Sequence, residues 1–341
     1  VGFIKGGLSM INIATSMFFA EISGSAVADV AALGSILIPA MKKKGYPAAF
    51  SAAVTSSSAS LAIIIPPSIP MIVYAVMAQT SVVQLFVAGI IPGIIGGFLM
   101  MLAAYIYAVR HKLPVEETFN LPNLRKTARE ASLAFLLPFI ILGGIFGGVV
   151  TATEGAGLAV VAALVIGLIY KEFDFKRLYQ AATEGAIQTA SVMLLVAASV
   201  LLGEFLTIEQ IPQKVAESII DFTKNKYAVL LILNVFLLII GFFLHSVAAI
   251  ILTVPIVMPL VNAVGIDPVH FGIIVTLNLA IGQQTPPVAS VLVTACSVAK
   301  ADIWDVTRAN IMFICVLLFL LFLVTYIPAI PMTLVEFFYR S

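Results

Sequence analysis

The sequence predicts an all-α polytopic membrane protein made of two inverted repeats, each containing a re-entrant hairpin and a broken helix. The 341-residue chain is 61% hydrophobic and only 10% charged, and its mean hydropathy is +1.13. No soluble domain of this size can bury so much apolar surface, so lipid must be the solvent for most of it. In addition, one Pro-Pro motif occurs twice inside apolar stretches, at an offset of 220 residues.

The two copies of the Pro-Pro motif share their surroundings. The first copy reads Gly45-Tyr-Pro-Ala-Ala-Phe, then an apolar run, then Ile65-Pro-Pro-Ser68. The second reads Gly265-Ile-Asp-Pro-Val-His-Phe, then an apolar run, then Thr285-Pro-Pro-Val288. Proline has no backbone N–H and interrupts a helix. Helices broken at matching points of two halves are the best sequence indication of a binding site in a secondary transporter.

An interrupted apolar segment precedes each Pro-Pro motif. Residues 7–41 are interrupted at Ser23-Gly24-Ser25. This leaves two arms of about 15 residues, or roughly 22 Å of helix, which is shorter than the roughly 30 Å hydrocarbon core of a bilayer. Residues 227–262 repeat the pattern, with an interruption near Leu244-His245-Ser246. We therefore expect re-entrant hairpins over 7–41 and 227–262, followed by broken helices over 48–78 and 268–299.

The number of crossings between the hairpins sets the relative orientation of the two halves. Three lysines follow the first hairpin, Lys42, Lys43 and Lys44, and the positive-inside rule places them in the cytoplasm. Residues 262–267, after the second hairpin, carry no positive charge. A last span is expected over 306–327. The segments expected to cross between the two hairpins are 48–78, 82–109, 132–150, 155–170 and 189–206; their number is odd, so the second half is inverted.

The two hairpins differ in what precedes them. Three of these crossings, 132–150, 155–170 and 189–206, come after the first half and directly precede the second hairpin, whereas the first hairpin begins at residue 7. If the halves match, further spans lie upstream of Val1. We therefore expect this sequence to be the later part of a longer protein.

Several function classes are disfavoured by composition and by missing motifs. The net charge of +1 gives no indication of nucleic-acid binding. The sequence contains no G-x-x-x-x-G-K-[ST], so it has no P-loop, and no H-E-x-x-H zinc motif. Cys296 and Cys315 lie in separate apolar segments and are expected to be small core residues, not a disulfide or metal pair.

Ionisable residues at or near membrane depth are the first candidates for function, because burying them in lipid is costly. Glu154 begins a span at Thr151-Ala-Thr-Glu-Gly155 and is expected to cap that helix. Glu204 is expected to be solvated near the external interface. Asp29 has two equal alternatives, structural hydrogen bonding or contact with an ion or substrate, and His245 is a hydrogen-bonded side chain or a proton site. The full set is Glu21, Asp29, Glu154, Glu204 and His245.

The backbone at the breaks is the second candidate. A break at the midplane exposes carbonyls, which coordinate cations such as Na⁺, and N–H groups, which favour an anion. No Lys or Arg falls inside the broken segments. An anionic substrate would therefore be held by hydroxyls, by amides such as Asn278 and Gln283, by helix N-termini and by bound cations.

At these motifs the chain resembles the large membrane subunit of tripartite ATP-independent periplasmic (TRAP) transporters, and the resemblance runs over essentially the whole chain. The matching strings in the first half and between the halves are F-F-A-E-I-S-G-S-A-V-A-D (18–29), G-Y-P-A-A-F (45–50), I-I-I-P-P-S (63–68) and T-A-T-E-G (151–155). Those in the second half are D-P-V-H-F-G (267–272) and G-Q-Q-T-P-P-V (282–288). One departure is Ala289-Ser290, where glycine is usual in the family.

The resemblance implies an elevator-type, Na⁺-coupled importer in the bacterial inner membrane. Its implied partners are a small membrane subunit and a periplasmic substrate-binding protein, and its implied cargo is a small carboxylate of the C4-dicarboxylate or sialic acid class; no nucleic acid is involved. The implied transport domain has two halves, 1–81 and 227–300. Residues 82–226 would supply scaffold and connecting arm helices, and residues 301–341 a C-terminal scaffold helix.

The resemblance also implies two Na⁺ sites and a substrate site. The first Na⁺ site would use Ser23 with backbone oxygens near Ala62, Ile65 and Pro66. The internal repeat carries this arrangement onto Gly282, Thr285 and Pro286 for the second Na⁺ site. The substrate would lie between the two hairpin tips, near Ser25, Ser68, Asn278 and Thr285.

Three alternatives remain open on the sequence. The nearest is a stand-alone Na⁺- or H⁺-coupled carboxylate transporter or antiporter of the same broad ion-transporter group, which would work without a periplasmic protein. The second is a membrane enzyme, which the absence of catalytic motifs disfavours. The third is a scaffold that transports nothing.

Overall fold

The computed structural model describes residues 4–113, 115, 121–171, 173–223 and 225–339, and within these ranges all regular structure is helical. The all-α prediction is therefore confirmed. The helices of the first part are α1 (Gly7–Ser23), α2 (Ala26–Lys43), α3 (Ala48–Ala59), α4 (Ile69–Met77), α5 (Val82–Arg110), α6 (Leu121–Phe146), α7 (Ala152–Ile169) and α8 (Phe175–Ile208). Those of the second part are α9 (Ile211–Phe222), α10 (Lys226–Phe243), α11 (Ser246–Ala263), α12 (Pro268–Gly282), α13 (Ser290–Ala299), α14 (Ile303–Tyr326) and α15 (Ala329–Tyr339).

The chain divides into two compact units. Helices α1–α5 and α9–α15 form the first unit, and α6–α8 form the second. Helix α5, which belongs to the predicted scaffold range 82–226, packs on α1 and α14 within the first unit. The division into a moving transport domain and a scaffold stays a prediction.

Six helices in the described part of the chain are long and apolar enough to cross a membrane, namely α5, α7, α8, α10, α11 and α14. Both arms of the second hairpin, α10 and α11, are in this set, with 18 residues each. The arms of the first hairpin have 17 and 18 residues. An arm of 18 residues extends roughly 27 Å. The arms of the first hairpin are therefore longer than the expected length of about 15 residues. The reason is that the interruptions occupy only two residues, and that Pro39, Pro255 and Pro259 do not end their helices.

The first hairpin and the first broken helix end where local chemistry ends a helix. Helix α1 stops at Gly24, which has φ +60°, a left-handed conformation that glycine adopts without a Cβ penalty. Helix α3 continues into a 3-10 turn, Ser60–Ile63, and helical structure resumes only at α4. Pro66 and Pro67 lie in this gap and cannot donate the backbone hydrogen bonds that a continuous helix needs. The second broken helix has the same form, with Pro286-Pro287 between α12 and α13.

The two broken helices run antiparallel. At one end, Lys42 Nζ at the end of α2 donates to the carbonyl of Ala299 at the end of α13, 2.9 Å away. At the other end, the Tyr74 hydroxyl near the end of α4 donates to the carbonyl of Pro268 at the start of α12, 2.7 Å away. The last half-helix of each repeat therefore ends beside the start of the other repeat's broken helix. This is the orientation that an odd number of crossings predicts.

Two helices differ from the sequence expectation. A span limited to 189–206 was expected, but α8 is one continuous helix of 34 residues, about 51 Å long, because no proline interrupts it. At the C-terminus one helix was expected over 301–341. The structure has two, α14 and α15, which are separated at Ile327-Pro328.

Candidate functional site

Each hairpin tip meets the break of its own broken helix. In the first half, the N–H of Ile69 donates to the carbonyl of Gly24 at 3.3 Å. A Cβ at Gly24 would lie 2.9 Å from the Pro67 carbonyl oxygen, so the contact requires glycine. In the second half, the N–H of Val288 donates to the carbonyl of Phe242 at 3.3 Å. The structure thus brings together the two parts of each half that the sequence singled out.

The first tip carries a small polar cluster. The Ser23 hydroxyl donates to Oδ1 of Asp29, and the N–H of Ser25 donates to Ser23 Oγ at 3.2 Å. Asp29 is fully buried in the first turn of α2, and its Oδ2 has no hydrogen-bond partner among the described residues. Because its hydrogen is given to Asp29 and one lone pair accepts from the Ser25 N–H, Ser23 Oγ keeps one lone pair for a cation.

The first break adds backbone oxygens. The Ser68 hydroxyl donates to the carbonyl of Ile63 at 2.8 Å, and Ser68 is fully buried. The carbonyls of Ala62, Ile65 and Pro66 accept no hydrogen bond from any residue in the described ranges. Buried carbonyls without partners are tolerated at membrane depth only where they line a cavity or bind something. The oxygen set expected for the first Na⁺ site is therefore available on both sides of the tip contact.

The second oxygen set is more engaged. The N–H of Thr285 donates to the carbonyl of Gly282 at 3.0 Å, and the Thr285 hydroxyl donates to the carbonyl of Ile281 at 3.0 Å. Pro286 is half-buried beside them. The Thr285 hydroxyl oxygen keeps its lone pairs, but one lone pair of the Gly282 carbonyl oxygen already accepts from the Thr285 N–H. The second predicted site is thus closed more tightly by its own turn than the first.

The expected substrate residues do not all lie in one place. Ser25 and Thr285 are half-buried, one at the first tip and one at the second break. Asn278 lies elsewhere, in a buried polar chain within α10, α12 and α14. Its Nδ2 donates to Asn234 Oδ1 at 2.6 Å, and Asn234 Nδ2 donates to Thr325 Oγ1 at 3.1 Å. The structure therefore does not group Asn278 with the tip residues.

Sequence reasoning missed the hydroxyl-rich face of α3. Five of the six residues from Thr55 to Ser60 carry hydroxyls, and all five are fully buried. Asn12 donates to Thr55 at 2.7 Å, and Ser16 is 2.8 Å from Ser58 across the α1–α3 contact. Such hydrogen bonds between helices are a common source of association inside membranes. The run of serines in an apolar stretch was the available signal.

Sequence reasoning also missed Gln284, which links the two halves. Its Nε2 donates to the carbonyl of Ser56 at 2.5 Å and to the Ser60 hydroxyl. Its Oε1 accepts from Asn310 Nδ2 of α14 at 3.1 Å, and Asn310 in turn accepts from Ser57. All of these residues are fully buried. The second break is therefore hydrogen-bonded directly to the first broken helix.

A third missed signal is the spacing of Gly89, Gly93 and Gly97 in α5. A Cβ at Gly89 would collide with the Ile64 carbonyl, and one at Gly93 would lie 2.7 Å from Ile65 Cγ1. Small residues four apart allow helices to approach closely in membranes. This stripe places α5 directly against the first break.

The remaining ionisable candidates differ in their surroundings. Glu154 forms the expected cap. Its carboxylate accepts from the Thr151 N–H at 2.8 Å, and the backbone N–H of Glu154 donates to Thr151 Oγ1 at 3.2 Å. Glu204 is exposed on α8, and Glu21 is half-buried on α1. His245 is exposed at the second tip, immediately before α11.

Comparison with known proteins assigns the family. A family model described as "Tripartite ATP-independent periplasmic transporter, DctM component" matches residues 1–330. The chain belongs to this family. As a TRAP large permease with several apolar helices, it is a multi-pass protein of the bacterial inner membrane and not an enzyme.

Named TRAP relatives cover almost the whole chain. It is 42% identical over 334 residues to the isethionate TRAP transporter permease protein DctMQ of Oleidesulfovibrio alaskensis, covering 97% of this chain and 53% of that relative. It is 39% identical over 335 residues to the C4-dicarboxylate TRAP transporter large permease protein DctM of Pseudomonas aeruginosa, covering 98% and 78%. It is 34% identical over 339 residues to the sialic acid TRAP transporter large permease protein SiaM of Vibrio cholerae, covering 99% and 79%. The chain thus spans about half of the first relative and about four fifths of the other two.

Proposed function

We propose that this chain is the large membrane subunit of a Na⁺-driven secondary importer of a small organic acid, working with a small membrane subunit and a periplasmic binding protein. The observation that carries the proposal is the contact between each hairpin tip and its own break. It gathers hydroxyls, a buried carboxylate and unpaired carbonyls in a protein of a transporter family. Broken half-helices at such a point are where secondary transporters bind ions and substrate.

Na⁺ is the coupling ion that suits these groups. The first site would be formed by Ser23 Oγ and the carbonyls of Ala62, Ile65 and Pro66, all of them hard oxygen donors. The second would use Gly282, Thr285 and Pro286, where Thr285 offers its remaining lone pairs. Bound cations would also offset the negative charge of the substrate, because no Lys or Arg lies in the broken helices.

The cargo class is inferred from chemistry shared by the named relatives. Isethionate is a sulfonate, and C4-dicarboxylates and sialic acid carry carboxylates, so each of these substrates is an organic acid. The hydroxyls of Ser25 at the first tip and Thr285 at the second break are half-buried and suit a small organic anion. A binding protein that delivers one acid would select among them.

We further propose an elevator mechanism for the transport step. The two hairpins and two broken helices lie in one compact unit, which also contains α5, α14 and α15, and Gln284 joins the two halves within it. In this mechanism the hairpins and broken helices move as a single body. A single body carries ion and substrate sites across the membrane together, which couples their transport.

Uptake into proteoliposomes tests the proposal. The permease and its small subunit would be reconstituted and supplied with binding proteins loaded with succinate, isethionate or sialic acid. We expect uptake of at least one acid with an inward Na⁺ gradient, and none with K⁺ in its place or without the binding protein. Uptake that follows a proton gradient, or that needs no binding protein, would instead support the stand-alone carboxylate transporter or antiporter.

A further inference from the structure

The start of α13, directly after the second break, has an uncapped helix end. Helix α13 has ten residues, and its N-cap residue is Ala289, whose methyl group cannot accept a hydrogen bond. The first turn contains no acidic residue. The N–H groups of Ser290 and Leu292 donate to no residue in the described part of the chain. This end therefore presents donors and the positive end of the helix dipole without a partner.

An amide side chain is held against this helix end. Oε1 of Gln283 accepts from the Ser290 hydroxyl at 3.4 Å, and the Gln283 carbonyl accepts from the N–H of Val291 at 3.3 Å. Both the side chain and the backbone of Gln283 are thus tied to the first two residues of α13. These contacts place its amide group at the helix N-terminus.

The other atom of that amide has no partner. Gln283 is 2% exposed, and its Nε2 makes no hydrogen bond with any described residue. Burying an N–H donor without an acceptor costs free energy, so such a group points to a ligand that is absent from the protein itself. The missing partner must be an acceptor, because the amide nitrogen only donates.

The surroundings favour an anionic acceptor. Neither of the ion pairs in the described ranges, Asp174–Arg177 and Asp305–Arg308, involves a residue of α13 or Gln283, and both pairs are exposed. A carboxylate or sulfonate offers several acceptor oxygens and a negative charge, which matches an amide donor beside a helix N-terminus. Ser290 is half-buried and Val288 is exposed, so this end is reached from the exposed side of the break.

We propose that Gln283 Nε2 and the N-terminal turn of α13 bind one acid group of the transported organic anion. The inference rests on the proposed function, because it assigns the anion to the cargo. It makes Gln283 a substrate-binding residue and gives the second break a role separate from Na⁺ coordination. The acid group lies at the start of α13, and the Na⁺ ligands Gly282 and Thr285 lie on the preceding turn.

The test measures anion binding by the purified full chain in detergent, through its thermal stability. Sodium succinate and sodium isethionate are titrated against sodium chloride, with the Na⁺ concentration held constant. We expect wild-type protein to be stabilised by at least one of the two anions. In Gln283→Ala the apparent Kd for that anion should rise about tenfold or more, since a charge-assisted hydrogen bond is lost. Gln283→Glu, which places a negative charge at the site, should raise it further.

Thr294→Val is the matched control. Thr294 lies one turn further along α13, and its hydroxyl donates to the Ser290 carbonyl at 2.9 Å, so the change removes one hydrogen bond from the same helix. Its anion Kd should equal that of wild type. Stabilisation of each variant by added NaCl over KCl shows that the protein is folded and that the ion sites are intact. If Gln283→Ala fails this check, Ser290→Ala serves as the second variant.

The outcomes separate this inference from the proposed function. An anion Kd that rises in the Gln283 variants but not in Thr294→Val supports the inference. Wild-type anion binding that is unchanged in the Gln283 variants overturns it and leaves the proposed function standing. Absence of any anion effect in wild type, with Na⁺ stabilisation present, overturns both the anion site and the organic-acid cargo.

Discussion

Asp29 is the residue whose environment demands most explanation. It is fully buried in a membrane protein, its Oδ1 is bound by the Ser23 hydroxyl, and its Oδ2 has no partner in the described ranges. Carboxylates inside membranes are costly and are retained mainly where they serve function. The hydrogen bond to Ser23 also fixes the direction of the Ser23 lone pairs. Asp29 therefore orients the hydroxyl proposed as the first Na⁺ ligand.

Replacing Ser23 by alanine should weaken both folding and Na⁺ binding. Both oxygens of the buried Asp29 carboxylate would then lack a donor, at a cost of about 1–3 kcal/mol. We expect a lower thermal midpoint in Na⁺-free buffer and a Na⁺ concentration for half-maximal stabilisation that rises roughly tenfold. Differential scanning fluorimetry with NaCl and KCl titrations measures both quantities.

Ser35→Ala is the control for that experiment. Ser35 is an exposed residue of α2 whose hydroxyl donates to the Ala32 carbonyl at 2.7 Å, so the same chemical change is made away from the tip. It should leave both quantities as in wild type. A Ser23→Ala protein that behaves like Ser35→Ala would remove Ser23 from the proposed ion site.

At the residue scale the sequence predicted positions better than contacts. Ser23, Ser25 and Thr285 could be singled out because hydroxyls beside a glycine or a Pro-Pro are unusual in an apolar stretch. The partners of Gln284 could not, since Ser56 and Ser60 lie 228 and 224 residues away in the chain. The family resemblance grouped Asn278 with the tips, but its side chain donates to Asn234, which in turn donates to Thr325.

At the scale of elements, close approach of backbones holds the second half together. Helices α10 and α12 meet at Gly241 and Gly282, where a Cβ added to Gly282 would lie 2.5 Å from the Gly241 carbonyl carbon. The obstacle is backbone on both sides, so no side-chain movement can relieve it. Helix α10 is the arm that leads to the second tip. The close approach of Gly241 to Gly282 therefore positions this tip over the second break.

Gly282→Ala should therefore be strongly destabilising. Overpacking at such a contact costs about 1–3 kcal/mol or more, because one helix must shift. Gly185→Ala is the matched change in α8, where nothing lies within 4 Å of the added Cβ. There alanine should stabilise the helix by about 0.5–1 kcal/mol. Thermal unfolding of the two variants should give shifts of opposite sign, and equal shifts would contradict the close packing.

Helix ends and breaks were the most predictable elements, because proline and glycine act locally. The first hairpin tip and both breaks follow from such residues, and the cap follows from Thr151 and Glu154. The lengths of the hairpin arms did not, because internal prolines such as Pro39 are tolerated when neighbouring helices support the backbone. The place of α5 was also not predicted. It follows from a glycine stripe whose partners, Ile64 and Ile65, lie in the first break, more than 20 residues earlier in the chain.

At the scale of the whole molecule, the antiparallel broken helices set the membrane topology. The contacts Lys42–Ala299 and Tyr74–Pro268 join opposite ends of the two repeats. The lysines after the first hairpin lie at the end marked by the Lys42–Ala299 contact. The end of the second hairpin, α11, leads directly into the start of α12, which lies at the end marked by the Tyr74–Pro268 contact. We therefore expect the two hairpins to open toward opposite sides of the membrane.

Cysteine labelling tests this topology. Lys43→Cys and Asn262→Cys, both at exposed positions, would be made in a chain whose Cys296 and Cys315 are replaced by serine. In right-side-out spheroplasts we expect a membrane-impermeant maleimide to label residue 262 at once and residue 43 only after permeabilisation. The positive-inside rule gives the reason for the sidedness. Labelling of both residues from the same side would contradict the inverted arrangement.

The half-helices beyond the breaks are exchanged between the repeats. Helix α4, from the first repeat, packs on α11 of the second, and α13, from the second repeat, packs on α2 and α3 of the first. Neither repeat therefore completes its own core. A single repeat made as a separate chain would have an empty groove and an unplaced half-helix of matching shape. Two such chains should fill one another's grooves, so that an ancestor with a single repeat would have worked as an antiparallel homodimer.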